Sequence, residues 1–407
     1  MLRLVCEKDK CVACGACLNI CPKGCISFKI NEYDVISAYK NTEQCCKCNL
    51  CNIVCPEKKN VPGYIPNTCY AAWSLDNIIR YNSASGGIAT ELYSYAIDKN
   101  YWIAGVKMNA DHEAIYSLTK KKCFDFQNSK YTFSNMGSIY LNIADKLHNK
   151  EKVLFVGLPC QIAGLRLFLK AKNIKETDIY LVDLICHGTT PSEYLKQHIK
   201  KIEEKINRFN TDVEFRNPKY GTSKFYFTLS QNKQILYKKN VNQDDEFQIA
   251  YHKGIAYREN CYTCKWANKK RMGDVTLSDF RGLGTQKKCK YSYKNVSCVM
   301  INTPKGKKLY RELLQNNRIN SVKRPLEENF NTQITLNNPT PKPKERMMFL
   351  EIYRETKDFD CAVQIAAKKR ILLNRLNTIT RYRDIKLFLL QLIPKQFKGK
   401  IKHIIFK

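Results

Sequence analysis

The sequence predicts an α+β amino-terminal module, an α/β region built on a parallel sheet, an α+β half after it and a basic helical tail. Three observations carry this. Two cysteine-rich phrases repeat, at residues 11–22 and 45–56. Apolar strands and amphipathic helices alternate through the middle of the chain. Residues 368–407 carry twelve Lys/Arg against one acid, Asp384. The expected boundaries are 1–66, 67–206, 207–345 and 346–407.

The 407 residues suit two or three domains, and 44% hydrophobic residues suffice for a sizeable core. No run approaches the ~20 apolar residues that cross a bilayer. The start, MLRLVCEKDK, lacks the apolar stretch of a signal peptide. A cytoplasmic setting is therefore expected, where cysteines stay reduced. Twenty cysteines there point to metal ligands or redox chemistry rather than a disulfide framework. The formal charge of +32 suits acidic partners: an acidic electron carrier, a phosphorylated substrate, anionic lipid or nucleic acid. A Lys-rich surface that is merely solvated is the alternative.

The first phrase, CVACGACLNICP, supplies Cys11, Cys14, Cys17 and Cys21 before Pro22. The second, CCKCNLCNIVCP, supplies Cys45, Cys48, Cys51 and Cys55 before Pro56. Both fit the C-x2-C-x2-C-x3-C-P run of bacterial [4Fe–4S] clusters. A tight loop gathers three thiolates on one face of a cube, and the fourth cysteine starts a segment that points to the neighbouring cube. The expected sets are Cys11, Cys14, Cys17 and Cys55 for one, and Cys45, Cys48, Cys51 and Cys21 for the other. Zinc is the rival, but zinc sites use separated C-x2-C knuckles rather than tandem triplets. Cys6, Cys25 and Cys46 fall outside the spacing. Between the phrases, ISFKINEYDVISAY alternates about an Asn-Glu turn and predicts a hairpin. Residues 1–66 thus resemble a two-cluster ferredoxin.

VPGYIPNT marks a boundary. A helix is expected from Ile88 through Leu92 and Tyr95, then strands at YWIAGVKMN, KVLFVG and DIYLVDLIC. Helices are expected at SNMGSIYLNIADKLHNK, LPCQIAGLRLFLKAK and TTPSEYLKQHIKKIEEKI. The last opens with Thr190 as cap, Pro191 at the first position and Glu193 completing a capping box. DVEFRNPKYG and SKFYFTLSQNKQILYKK predict antiparallel strands. If these strands are parallel in one sheet, Cys160 and Cys186 would emerge along one edge. Cys261 and Cys264, a C-x2-C pair, bring the set to four. A third [4Fe–4S] cluster, a zinc ion and four small core residues are the alternatives.

SASGGI at 83–88, GLPCQIAGL at 157–165, DLICHG at 183–188 and NCYTCKWANKKRMGDVTLSDFRG at 260–282 together resemble the family of coenzyme F420 hydrogenase/dehydrogenase beta subunits. The resemblance spans about residues 68–306, and a ferredoxin module in front is a common fusion in that family. It implies an enzyme, an iron–sulfur flavoprotein oxidoreductase with FAD, with 67–206 as its flavin-binding half. Electrons would pass between the clusters and an unidentified small organic substrate or deazaflavin (coenzyme F420), with ferredoxin or a similar protein as donor or acceptor. It also implies a setting near surface-polysaccharide biosynthesis. A non-catalytic electron-transfer subunit and a polysaccharide-assembly accessory protein are the rivals.

By the resemblance, Ser83, Ser85, Gly86 and Gly87 meet the FAD phosphate, a Gly-rich turn opening a helix being suited to it. Lys130, Ser134 and Gln161 are further cofactor contacts. An ordinary helix cap and surface polarity are the bland alternatives. His187 is the candidate proton donor, with a hydrogen-bonded structural histidine as its alternative. Asp274 and Asp279 are expected to brace their loop. Two departures stand out: Arg281 occupies the Trp position of the family's DFWG, and HGTTPS is one residue longer than the family's HGVPS-like phrase.

In the tail, Ile371, Leu372, Leu376, Ile379 and Leu387–Leu390 interleave with the basic residues. A helix lying on anionic membrane at the inner face is one expectation, a helix packed on the protein the other. No aromatic-plus-basic recognition motif supports nucleic acid.

Overall fold

The structure, a computed structural model, describes residues 1–121, 123–292 and 294–380. The amino-terminal part holds a three-stranded antiparallel sheet of Leu2–Leu4, Ile26–Ile30 and Ile36–Asn41, with the last strand in the centre. The predicted hairpin forms: Tyr33 and Val35 donate their backbone N–H to the Asn31 side chain and close the turn. Each cysteine triplet winds into a short helix, Ala16–Ile20 and Leu50–Ile53. The two loops repeat one backbone conformation. The residues flanking the second cysteine are left-handed in both, Ala13 and Gly15 in one, Lys47 and Asn49 in the other. The sequence repeat is thus a repeat of φ angles.

A nine-stranded sheet follows. Its middle is parallel: Val275–Asp279, Ile179–Leu184, Val153–Gly157 and Trp102–Met108 run side by side. Its flanks are largely antiparallel, so the sheet is mixed where a parallel one was expected. The reason is local on one side. Trp102–Met108 turns back through Asn109–Glu113 into Ala114–Thr119, and so short a link permits only an antiparallel pair. On the other side Ser297–Ile301 pairs antiparallel with both Val275–Asp279 and Thr68–Ser74. The sheet takes strands from both sides of residue 206.

Helices cover both faces. Ile88–Asp98 and Pro304–Gln315 bury Leu92, Tyr95, Leu309 and Leu313 on one. Ile139–His148 and Pro159–Ala171 cover the other, and the amino-terminal module packs on them: Val12, Cys14 and Ile20 share a core with Tyr140, Ile162 and Phe168. A second core joins Ser192–Ile206, Glu246–His252, Glu345–Thr356 and Phe359–Ala366 to a small sheet of Asp212–Glu214, Tyr226–Gln231 and Gln234–Asn240.

One predicted cap fails. The helix begins at Ser192 behind Pro191 and has no side-chain cap. The Thr190 carbonyl instead accepts the Phe133 N–H, and its hydroxyl points to the Tyr131 carbonyl. Thr190 is thus committed to the Tyr131–Phe133 segment.

The last helix among the described residues, Lys368–Thr380, buries Ile371 and Asn374. Leu372, Leu373, Leu376 and Ile379 are exposed on it. Residues Leu387–Leu390 lie outside the described residues. Among the described residues no helix is long and apolar enough to cross a membrane.

Candidate metal and cofactor site

The two phrases exchange their fourth cysteines. Cys11, Cys14 and Cys17 share one cavity with Cys55, and Cys45, Cys48 and Cys51 share another with Cys21. A donor set of four thiols in each, on loops of matched conformation, fits a [4Fe–4S] cube. Each cavity also holds a thiol outside the spacing. Cys6 lines the first, beside Cys11 and Cys55. The Cys6 thiol pulls the Cys11 thiol down to about 6 and the Cys55 thiol down to about 7, against their burial. Cys25 lines the second with its Sγ 3.4 Å from that of Cys21. Cys46 is there too.

A third cavity gathers Cys160, Cys186, Cys261 and Cys264. Cys160 sits in the first turn of Pro159–Ala171, directly behind the strand Val153–Gly157. Cys186 follows the parallel neighbour Ile179–Leu184. The parallel pairing of these two strands brings the two thiols to one edge of the sheet. Cys261 and Cys264 come from the tight turn Glu259–Thr263 and the residue after it. Burial raises the Cys160 and Cys186 thiols well above their ordinary value and the Cys264 thiol to about 11. Protonated thiols release protons when a metal binds. The donor set fits a cube and fits tetrahedral zinc equally.

The cavities are close neighbours. Val12 lines both the first and the third. Gly164 lets the helix Pro159–Ala171 approach: a Cβ there would stand 2.8 Å from Cys14 Sγ. Arg258, 2% exposed, reaches from the third cavity into the first cysteine loop. Its guanidinium donates to the carbonyls of Val12 at 3.1 Å, Cys11 at 2.9 Å and Ile36 at 3.0 Å. Arg271, also buried, pairs with Asp183 at 3.1 Å and ties the ends of the central strands. Asp274 braces its loop by accepting the Leu181 N–H at 2.9 Å and the Thr303 hydroxyl at 2.7 Å.

Residues 150–325 match the family described as the carboxy-terminal part of the beta subunit of coenzyme F420 hydrogenase/dehydrogenase. Residues 150–325 of the chain belong to this family. Among relatives, the F component of the F(420)H(2) dehydrogenase of Methanosarcina mazei, a subunit by name, is 24% identical over 53% of this chain and 64% of its own length. A coenzyme F420-dependent sulfite reductase of Methanocaldococcus jannaschii is 22% identical over 76% of this chain and 46% of its own length. The chain thus spans less than two thirds of either. An uncharacterized ferredoxin of M. jannaschii is 33% identical over 14% of this chain and 70% of its own length. The first two relatives are thus named for coenzyme F420 oxidoreductases, and the third for a ferredoxin.

The residues assigned to FAD divide. The Ser83 hydroxyl donates to the Ile79 carbonyl and Ser85 to the Val296 carbonyl, while the Gly86 N–H donates to Ser297. A phosphate needs donors, and these protons are already given to the chain. They shape the turn. The first-turn amides of Ile88–Asp98, opened by left-handed Gly87, have no partners within that helix. Gln161 is likewise engaged: its side-chain oxygen accepts the Leu158 N–H and the Tyr116 hydroxyl. Ser134 is buried in the edge strand Ser134–Asn135. Ser83 and Lys130 do come together, through Gln127. Its amide donates to Ser83, and its carbonyl accepts the Lys130 amine at 2.6 Å. Burial pushes that amine down to about 7, with Asp125 opposing.

His187 lines the third cavity. Burial, reinforced by Arg281 and opposed by Asp279, pushes its imidazole down to about 4. Burial thus favours the neutral form of this ring.

Beyond His187 lies a face that sequence reasoning missed. Tyr131 stacks on Tyr251 with ring centroids 4.5 Å apart, and His252 stands edge-on to Tyr131 at 5.6 Å. Phe225 completes the aromatic set, with the Arg216 guanidinium 4.4 Å above its ring. Asp279 holds Arg216 by two hydrogen bonds of 3.1 and 2.9 Å. Burial first, then Arg281, Arg216 and His187, push His252 down to about 3. Arg281, the departure from the family's Trp, thus adds charge to an aromatic face. Tyr131 directly follows Lys130, one of the residues singled out in the sequence; Arg216, Phe225 and His252 stand in no motif.

Proposed function

We propose that the chain is an iron–sulfur flavin oxidoreductase passing electrons between ferredoxin-type [4Fe–4S] clusters and FAD, to or from deazaflavin or another organic substrate. When bound, the clusters supply single-electron exchange and the flavin supplies hydride chemistry. Cys11, Cys14, Cys17 and Cys55 would hold one cluster, and Cys45, Cys48, Cys51 and Cys21 the second. Cys160, Cys186, Cys261 and Cys264 would hold a third. The observation that carries this is the succession of cysteine cavities, two of which share Val12 as a wall. His187 then leads from the third cavity toward the aromatic face. Tyr131, Phe225, His252 and Arg216 suit a planar, negatively charged group there. The amides opening Ile88–Asp98 suit its phosphate.

Anaerobic purification with iron, labile sulfide and flavin quantification tests this. About eight to twelve irons and about one FAD per chain are expected, four irons belonging to each cube. Protein that takes up no iron under anoxia would overturn the whole scheme. Iron without flavin would remove FAD and leave an electron-transfer subunit. That second reading is favoured by the M. mazei relative, itself named a subunit. It wins if the reduced protein is reoxidised by one co-purifying protein and by no small acceptor.

The exposed Leu372, Leu373, Leu376 and Ile379 on the basic helix Lys368–Thr380 support contact with anionic membrane. Flotation with anionic liposomes that is unchanged by deleting residues 368–407 would exclude it. The polysaccharide setting rests on the family resemblance, and unaltered surface polysaccharide in a deletion strain would remove it.

A further inference from the structure

Resting on the loaded clusters proposed above, we infer that the surface over the Cys21, Cys45, Cys48 and Cys51 cavity is the docking face for a small acidic one-electron carrier protein. The cavities differ in depth. Cys46 and Cys48, both on this cavity's wall, are the exposed cysteines of the described chain. Cys14, Cys17 and Cys55 of the neighbouring cavity are buried, under Gly164 and Arg258. Electron tunnelling falls steeply with distance, so a carrier gains most by docking where a cluster lies nearest the surface.

The charge of the rim names the partner. Lys40 and Lys47 line this cavity, and no acid does. The Lys23 charge reaches Cys46 and the Lys40 charge reaches Cys51. The nearest acid in sequence, Glu43, is not in the cavity wall. The neighbouring cavity, by contrast, has Glu57 in its wall. Ile53, 42% exposed on the short helix beside the rim, offers an apolar contact. Lysines around a small apolar spot, above a shallow redox site, match an acidic carrier and steer its approach.

The probe is a small acidic plant-type [2Fe–2S] ferredoxin, used with the anaerobic, cluster-loaded full chain. Binding is read by calorimetry with both proteins oxidised, and electron transfer by stopped-flow across a salt series. Lys23→Glu/Lys47→Glu is compared with Lys307→Glu/Lys308→Glu, an equal charge change on the exposed face of Pro304–Gln315. The expected result is binding and second-order rate both down by about tenfold or more at low salt in the rim variant. The control should stay within about twofold, and the salt dependence should flatten in the rim variant alone. Lys23→Gln/Lys47→Gln should fall between. Equal effects in rim and control variants, or none in either while iron content is normal, would overturn the docking face. Failure of the wild-type chain to hold iron would instead strike the underlying function, so the two failures are told apart.

Discussion

The amino-terminal cavities and the interior cavity use one kind of donor, the thiol, and are assembled in opposite ways. In the first pair the backbone does the positioning. Left-handed residues on either side of Cys14 and of Cys48 fold each triplet around its own cavity. In the interior cavity the sheet does it. Two parallel strand ends deliver Cys160 and Cys186, and a distant turn adds Cys261 and Cys264. A site built by a loop needs only that loop and its partner. A site built by topology needs the whole sheet in register, which the Arg271–Asp183 pair and the Asp274 contacts help to hold.

Removing donors from the interior cavity breaks the comparison most directly. Cys261→Ser/Cys264→Ser should lower the iron content by about four per chain and leave the signals of the other two clusters in place. Zinc lost instead of iron would make the interior cavity a zinc site. No metal change at all would leave its four thiols as packing. Arg258→Ala should come next in size. The arginine is buried and gives three hydrogen bonds to carbonyls of the amino-terminal module, which would be left unsatisfied. A loss of about 3–5 kcal/mol is expected in anaerobic denaturant unfolding. A loss below about 1 kcal/mol would mean the module docks without this residue.

The same contrast explains what was legible. The exchange of Cys21 and Cys55 between cavities could be read from spacing, because a C-x2-C-x2-C loop has few ways to fold. Cys160 and Cys186 could be read from strand order. Arg258 could not: it precedes Cys261 as one more charge in a Lys/Arg-rich chain, and its three acceptors lie more than two hundred residues away. Nor could the engagement of Ser83 and Ser85, whose partners Ile79 and Val296 are backbone carbonyls without a sequence signature. The antiparallel flanks of the sheet were missed because a strand's own pattern does not say which neighbour it takes.

The helical end offers a contrast in kind, since charge rather than thiols ties it together. His198 is buried between Asp360 at 2.7 Å and Asp245 at 3.2 Å, joining three helices. Burial opposes the charged ring, yet Asp245 and Asp360 outweigh it and hold the imidazole well above its ordinary value. A raised folded pKa contributes stability that is fully present below about 6.5 and is lost as pH rises through the folded value. The wild type should therefore lose stability from neutral toward alkaline pH. His198→Gln should be about 2–3 kcal/mol less stable at pH 6 and should lack that alkaline slope. Equal slopes in both proteins would assign the pH dependence elsewhere.

The smallest effect separates the two amino-terminal cavities from the interior one. Each of the first pair has a thiol outside the spacing against a candidate ligand, Cys6 on Cys11 and Cys55, and Cys25 on Cys21. The interior cavity has its four cysteines and, among the described residues, no fifth. A thiol that donates to a ligand sulfur stabilises the more negative, reduced state of a cluster. Cys6→Ala and Cys25→Ala should each leave the iron content unchanged and lower one midpoint potential, by the equivalent of about 1 kcal/mol or less. The interior site's potential should not move in either variant. A redox titration followed by paramagnetic resonance reads all three. Iron lost from the Cys6 variant would make that thiol a ligand, and unmoved potentials would make both thiols packing alone.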